Sequence, residues 1–129
     1  MQERRKQPRK SLMSYSQVFD LYEGRLIAYL GDLNLLGAMV IGSEPVEVET
    51  RLVVSIQLPE LPGISLSRLA LPVRIAWCQP DLSPEYFNIG LDFELVTDEQ
   101  KAIIEAVMDN YEFRREPPNY PPHPAELGG

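Results

Sequence analysis

Leu69-Ala70-Leu71-Pro72-Val73-Arg74-Ile75-Ala76-Trp77 is the stretch that decides the fold class. Its large apolar side chains, Leu69, Leu71, Val73, Ile75 and Trp77, occupy every second position. Ala70, Pro72, Arg74 and Ala76 fall between them. A period of two is that of a pleated strand with one face buried and the other wet. Pro72 has no N–H to give to a ladder, which predicts an edge or a bulge at that point. The same alternation runs through Leu52, Val54, Ile56 and Leu58, and again through Phe87, Ile89, Leu91 and Phe93. Asn88, Gly90, Asp92 and Glu94 then fall on the wet face of the last of these strands.

Shorter runs come first in the chain. Residues 17–22 form one, which Glu23-Gly24 closes as a hairpin turn into residues 25–30. Residues 31–37 break the pattern, Ala38-Met39-Val40-Ile41 resumes it, and residues 42–45 end it. Pro59, Pro62 and Gly63 punctuate one later connection, and Pro80 and Pro84 another. Beyond the last strand, Thr97-Asp98-Glu99-Gln100 has the form of a capping box, with Thr97 at the N-cap. Asp98 and Glu99 suit the positive end of a helix dipole. Ile103, Ile104, Val107, Met108 and Tyr111 recur at helical spacing and give one apolar stripe to dock on the β core. Six or seven short strands and one helix predict a mainly β fold, a small antiparallel β-barrel with a C-terminal α-helix. The chain divides into a basic N-terminal arm (1–15), the barrel with its helix (16–115) and a Pro-rich tail (116–129) whose composition is that of disorder.

A chain of 129 residues suggests one domain, long enough to bury a core without staples. No apolar run reaches the ~20 residues that span a bilayer. The charged N-terminus lacks the apolar stretch of a secretory signal. The single cysteine, Cys78, fits a reducing compartment, so a cytoplasmic location is expected. His123 is the only histidine and sits in the tail, which leaves no partner for a Ser-His-Asp or Cys-His arrangement. Cys/His metal sites lack ligands, and there is no glycine-rich nucleotide loop. Asp92 and Glu94 read as a solvated strand face, and Cys78 as a packing residue. The sequence therefore predicts neither an enzyme nor a protein with a metal or resident cofactor.

Charge is uneven. The whole chain carries −7, but residues 1–10 hold five Lys/Arg against Glu3, while the remaining residues sum to −11. So acidic a body repels long nucleic acid, whose affinity comes from phosphate contacts. A local basic arm can still grip one small anion. Arg4, Arg5 and Arg9 lie in that arm, extended around Pro8. Arginine binds phosphate or the O6/N7 edge of guanine bidentately and stacks on purine faces. Taken alone, the arm is first of all a solvated basic tail.

Asp32-Leu33-Asn34-Leu35-Leu36-Gly37 is the second segment of interest. Taken alone it is an ordinary turn of Asp, Asn and Gly. As a site, Asp32 accepts from the N1–H/N2–H edge of a guanine, Asn34 bonds ligand or backbone, and Gly37 permits close backbone approach.

Together these segments resemble the PilZ domain family, bacterial receptors for cyclic di-GMP (c-di-GMP). The family's Arg-x-x-x-Arg motif is matched by Arg5 and Arg9, with Arg4 just before it. Its Asp/Asn-x-Ser-x-x-Gly motif is matched by Asp32 and Gly37, with Asn34 where serine is expected. Residues 73–77, then 88–93, are similar to the family's final strand pair, and a capped helix follows. The resemblance spans residues 4–113. It implies a six-stranded barrel without catalysis. It implies an arginine arm that folds over bound c-di-GMP, often as an intercalated dimer, with Asp32 on a guanine edge. Trp77 falls where relatives can stack an apolar group on a purine, while its strand period assigns it to the core. The implied function is a c-di-GMP receptor that signals to a protein partner, as a monomer or a ligand-dependent dimer. The alternative is a ligand-independent module of the same shape, serving a pilus, flagellar or secretion apparatus.

Overall fold

The computed structural model describes residues 11–12 and 16–112. Arg4, Arg5, Arg9 and the tail 116–129 lie outside the described residues. In chain order the elements are β1 (Ser11–Leu12), β2 (Gln17–Asp20), β3 (Arg25–Leu33), β4 (Gly37–Gly42), β5 (Arg51–Gln57), β6 (Arg68–Pro80), β7 (Phe87–Phe93), α1 (Asp98–Asn110) and β8 (Tyr111–Glu112). Six of them close into an antiparallel barrel in the order β2-β3-β4-β7-β6-β5, with β5 returning to β2. The mainly β barrel with one C-terminal helix expected from the alternating strands is what the chain forms.

Antiparallel pairing sorts the connections between two ends. The chain enters β2 at one end, where the β3–β4 and β5–β6 connections and the exit from β7 into α1 also lie. The β2–β3, β4–β5 and β6–β7 connections lie at the other. The helix closes the first end. Ile103, Ile104 and Val107 are buried in the same cluster as the barrel residues Leu30, Val40, Val54, Leu71 and Val73. Each such side chain contributes roughly 1.5–3 kcal/mol when fully buried. Leu58 and Leu61, from the β5–β6 connection, complete the seal.

Polar bonds fix the helix in place. The Thr97 hydroxyl accepts from Gln100 N at 3.1 Å, and the Gln100 side chain accepts from Thr97 N at 3.0 Å, so the expected capping box is present. Gln100 Nε2 also donates to Ala70 O at 2.8 Å, and Tyr111 Oη donates to Glu60 O at 2.9 Å. Immediately after the helix, β8 pairs in parallel with β1, Ser11 against Tyr111. The backbone leading out of the basic arm is thereby tied to the helix end of the barrel.

Three features of the strands matter to the site. First, β3 does not stop at residue 30. It runs through Gly31 to Leu33, with a register shift between Leu30 and Asp32 against β4. The extra residue leaves Leu30 and Leu33 buried and Asp32 exposed. Second, Pro72 sits at the local edge expected for it, although β6 as a whole is an interior strand of the barrel. It pairs with Val53, and on its other side lies beyond the last rung of β7, where its carbonyl still accepts from Glu94 N at 2.9 Å. The missing N–H falls where the ladder ends. Third, a register shift between Ile75 and Trp77 against β7 inserts Ala76. Leu69, Leu71, Val73 and Ile75 stay in the core, but Trp77 is turned to the outer face and is 40% exposed. The core-face assignment of Trp77 is therefore corrected. Gly90, expected on a wet face, is buried beneath it.

Candidate functional site

The β3–β4 connection is built by its own side chains. Asn34 Oδ1 accepts from Leu36 N at 2.8 Å and from Gly37 N at 3.0 Å, and Asn34 N donates to Gly37 O at 3.0 Å. An Asn side chain that bonds backbone two and three residues on is the usual way this residue makes a turn. Asn34 thus spends its carbonyl oxygen on the turn. Asp32 Oδ1 accepts from Leu33 N at 2.9 Å, which orients the carboxylate at the rim. Gly37 opens β4 against β7, and a Cβ there would sit 2.1 Å from the Leu91 carbonyl oxygen. The close approach that demands glycine is therefore between two strands.

Across the barrel surface, Trp77 lies over Gly90. A Cβ on Gly90 would meet the indole Nε1 at 2.2 Å and Cε2 at 2.3 Å. The absent side chain lets the indole rest on strand backbone with its other surface open to solvent. Between the 32–37 turn and this indole lies a pocket of about 230 Å³, whose wall also includes Met39, Gly90 and Asp92. Sequence reasoning missed Asp92 as a site residue and treated it as part of a solvated face. Its strand alternation held no signal of this, because the pairing that sets it beside Arg74 is defined only between strands. Arg74 Nη2 donates to Asp92 Oδ2, while Nη1 donates to Glu49 Oε2 at 2.9 Å.

Asp32, Asn34, Gly37 and Trp77, four of the residues singled out in the sequence, thus border one pocket on the outer face of the barrel. The three arginines lie outside the described residues. The pocket opens beside the end where the chain enters β2, the end from which the arm departs. Among the described residues no group of three or more His, Cys, Asp or Glu side chains is arranged to hold a metal ion.

The PilZ domain family model matches residues 3–110, which takes in both the arginine arm and the 32–37 turn. The chain belongs to the PilZ domain family. Among solved structures it is similar to the PilZ domain of YcgR from Escherichia coli, determined with c-di-GMP. That likeness has a TM-score of 0.57 at 14% identity and covers 83% of this chain and 90% of that one. At such identity it shows the shared PilZ fold. No curated protein matches the sequence. No described helix is long and apolar enough to cross a membrane.

Proposed function

We propose that this PilZ chain is a non-catalytic c-di-GMP receptor whose arginine arm closes over the ligand and whose liganded form is read by a protein partner. The observation that carries the reading is the outer-face pocket between Asp32 and Trp77. It joins a carboxylate suited to a guanine N1–H/N2–H edge with an indole suited to stacking on a purine. At about 230 Å³ it is smaller than the ~300–1,000 Å³ that usually enclose a ligand of this size. A second wall is therefore needed, and residues 1–10, with Arg4, Arg5 and Arg9, are the basic segment of the chain suited to supply it. Arginine forks would meet the phosphates and the guanine O6/N7 edges, while Asp32 takes the opposite guanine edge. The YcgR PilZ domain, determined with c-di-GMP, supports this choice of ligand.

Isothermal titration with c-di-GMP tests the proposal. Saturable heat is expected, together with a rise in melting temperature. The absence of both at large ligand excess would leave the ligand-independent module as the surviving reading.

A further inference from the structure

The barrel has a second opening, at the end opposite the helix. A cavity of about 410 Å³ lies there, larger than the outer-face pocket and separate from it apart from one shared wall residue, Leu91. Its floor is the barrel interior, where Ala28, Val40, Val54, Ile75 and Ile89 are buried. The volume lies within the ~300–1,000 Å³ range of ligand sites, and the lining has their usual character, apolar with a few polar groups. The β4–β5 connection crosses this opening. Glu49 N donates to Ile75 O at 2.8 Å, and Ile75 N donates to Thr50 O at 2.8 Å. Val46 packs against the core from the same connection.

Two further features mark this end of the barrel. The connections at this end expose large apolar side chains at their tips, Tyr22 at 82% and Leu82 at 94%, with Leu21 and Val48 also exposed. Residues 20–25 and 43–51, which supply the cavity's rim, hold five Asp and Glu against two Arg, with Glu49 also held by Arg74 at 2.9 Å. The two rim arginines are each paired with a carboxylate, Arg25 with Glu23 at 3.4 Å and Arg51 with Glu94 at 2.9 Å. The rim thus carries a net negative charge around an apolar well.

We infer that this opening is a docking site for a basic segment of a partner protein, which inserts a bulky apolar side chain into the well and lays Lys or Arg on the rim. Apolar tips that stand beyond the cavity enlarge the contact past what a small amphiphile would need. The carboxylates complement a basic segment and oppose anionic phospholipid or nucleic acid. The inference does not rest on c-di-GMP binding, because the two openings lie on different parts of the barrel.

The test uses the full chain and synthetic twelve-residue peptides with a central Leu, Phe or Trp, flanked either by Lys/Arg or by Asp/Glu, with Ser-centred controls. Fluorescence anisotropy should show binding by the basic, apolar-centred set only, weakening as salt rises. Glu47→Lys, and separately Tyr22→Ser with Leu82→Ser, should each weaken it about tenfold, a change of ~1.4 kcal/mol. All three positions are exposed, so the variants should fold. Amide shifts on peptide addition should map to Val46, Thr50 and Leu52 rather than to residues 32–37. No binding by the basic set at about 100 μM, the weak end of specific recognition, would overturn the inference. So would indifference to Glu47→Lys, shifts confined to the outer-face pocket, preferential binding of anionic vesicles, or self-association abolished by the Tyr22 and Leu82 changes.

Discussion

Trp77 and Gly90 form a matched pair at the residue scale. An indole 40% exposed adds little to the core, yet a glycine is kept beneath it that would collide with the ring if it carried a Cβ. Such a pairing suits a stacking platform. Trp77→Ala should therefore leave the melting temperature near that of the parent while weakening c-di-GMP binding by the ~1–3 kcal/mol typical of one base on an aromatic ring. Calorimetric titration alongside a thermal melt separates the two effects, and an unchanged affinity would remove Trp77 from the site. Gly37→Ala should behave in the opposite way. The new Cβ meets the Leu91 carbonyl oxygen, a backbone atom that cannot rotate aside, so β4 and β7 must part. A loss of roughly 1–3 kcal/mol in stability is expected, read by chemical denaturation without ligand. Asn34 takes an intermediate position. Its carbonyl oxygen is committed to Leu36 N and Gly37 N, so the residue that departs from the family motif still performs the turn's own bonding.

The capping box of α1 was legible in the sequence because its four residues are contiguous, and the helical stripe that follows was legible for the same reason. Thr97→Ala should cost about 1 kcal/mol, the usual value for an N-cap, and lower the melting temperature by a few degrees. Strand existence was legible too, since a period of two needs no knowledge of partners. The faces of particular residues were not. A single extra residue in one strand, Ala76 opposite β7 or Gly31 opposite β4, turns every later side chain to the other face. Alternation within one strand cannot report a register shift that is defined only against its neighbour. Both shifts border the outer-face pocket, and they are what aim Trp77 and Asp32 outward. The elements therefore deviate from regularity where the candidate site lies, while the regular stretches 52–56 and 69–75 build the core.

On the scale of the whole molecule, charge and topology act together. A +4 arm leaves an acidic body of −11 at the barrel end that also carries the 32–37 turn, and its last described residues are tied to β8 beyond the helix. The core cluster among the described residues runs from Val18 to Val107, so the arm's arginines are expected to matter to ligand and not to folding. Arg5→Ala with Arg9→Ala should accordingly melt like the parent chain when c-di-GMP is absent. Ligand at a hundredfold excess over Kd stabilises a folded protein by about 2.7 kcal/mol, which for a domain of this size raises the melting temperature by roughly 10 °C. That rise should appear in the parent and be largely lost in the double variant, because each arginine removed takes away a charge-assisted contact of ~1.5–3 kcal/mol. If the double variant instead keeps the full ligand-dependent rise, the arm is a solvated tail and the outer-face pocket holds its ligand without it. If the variant melts early without ligand, the arm is part of the folded body, and the division between acidic barrel and basic clasp fails.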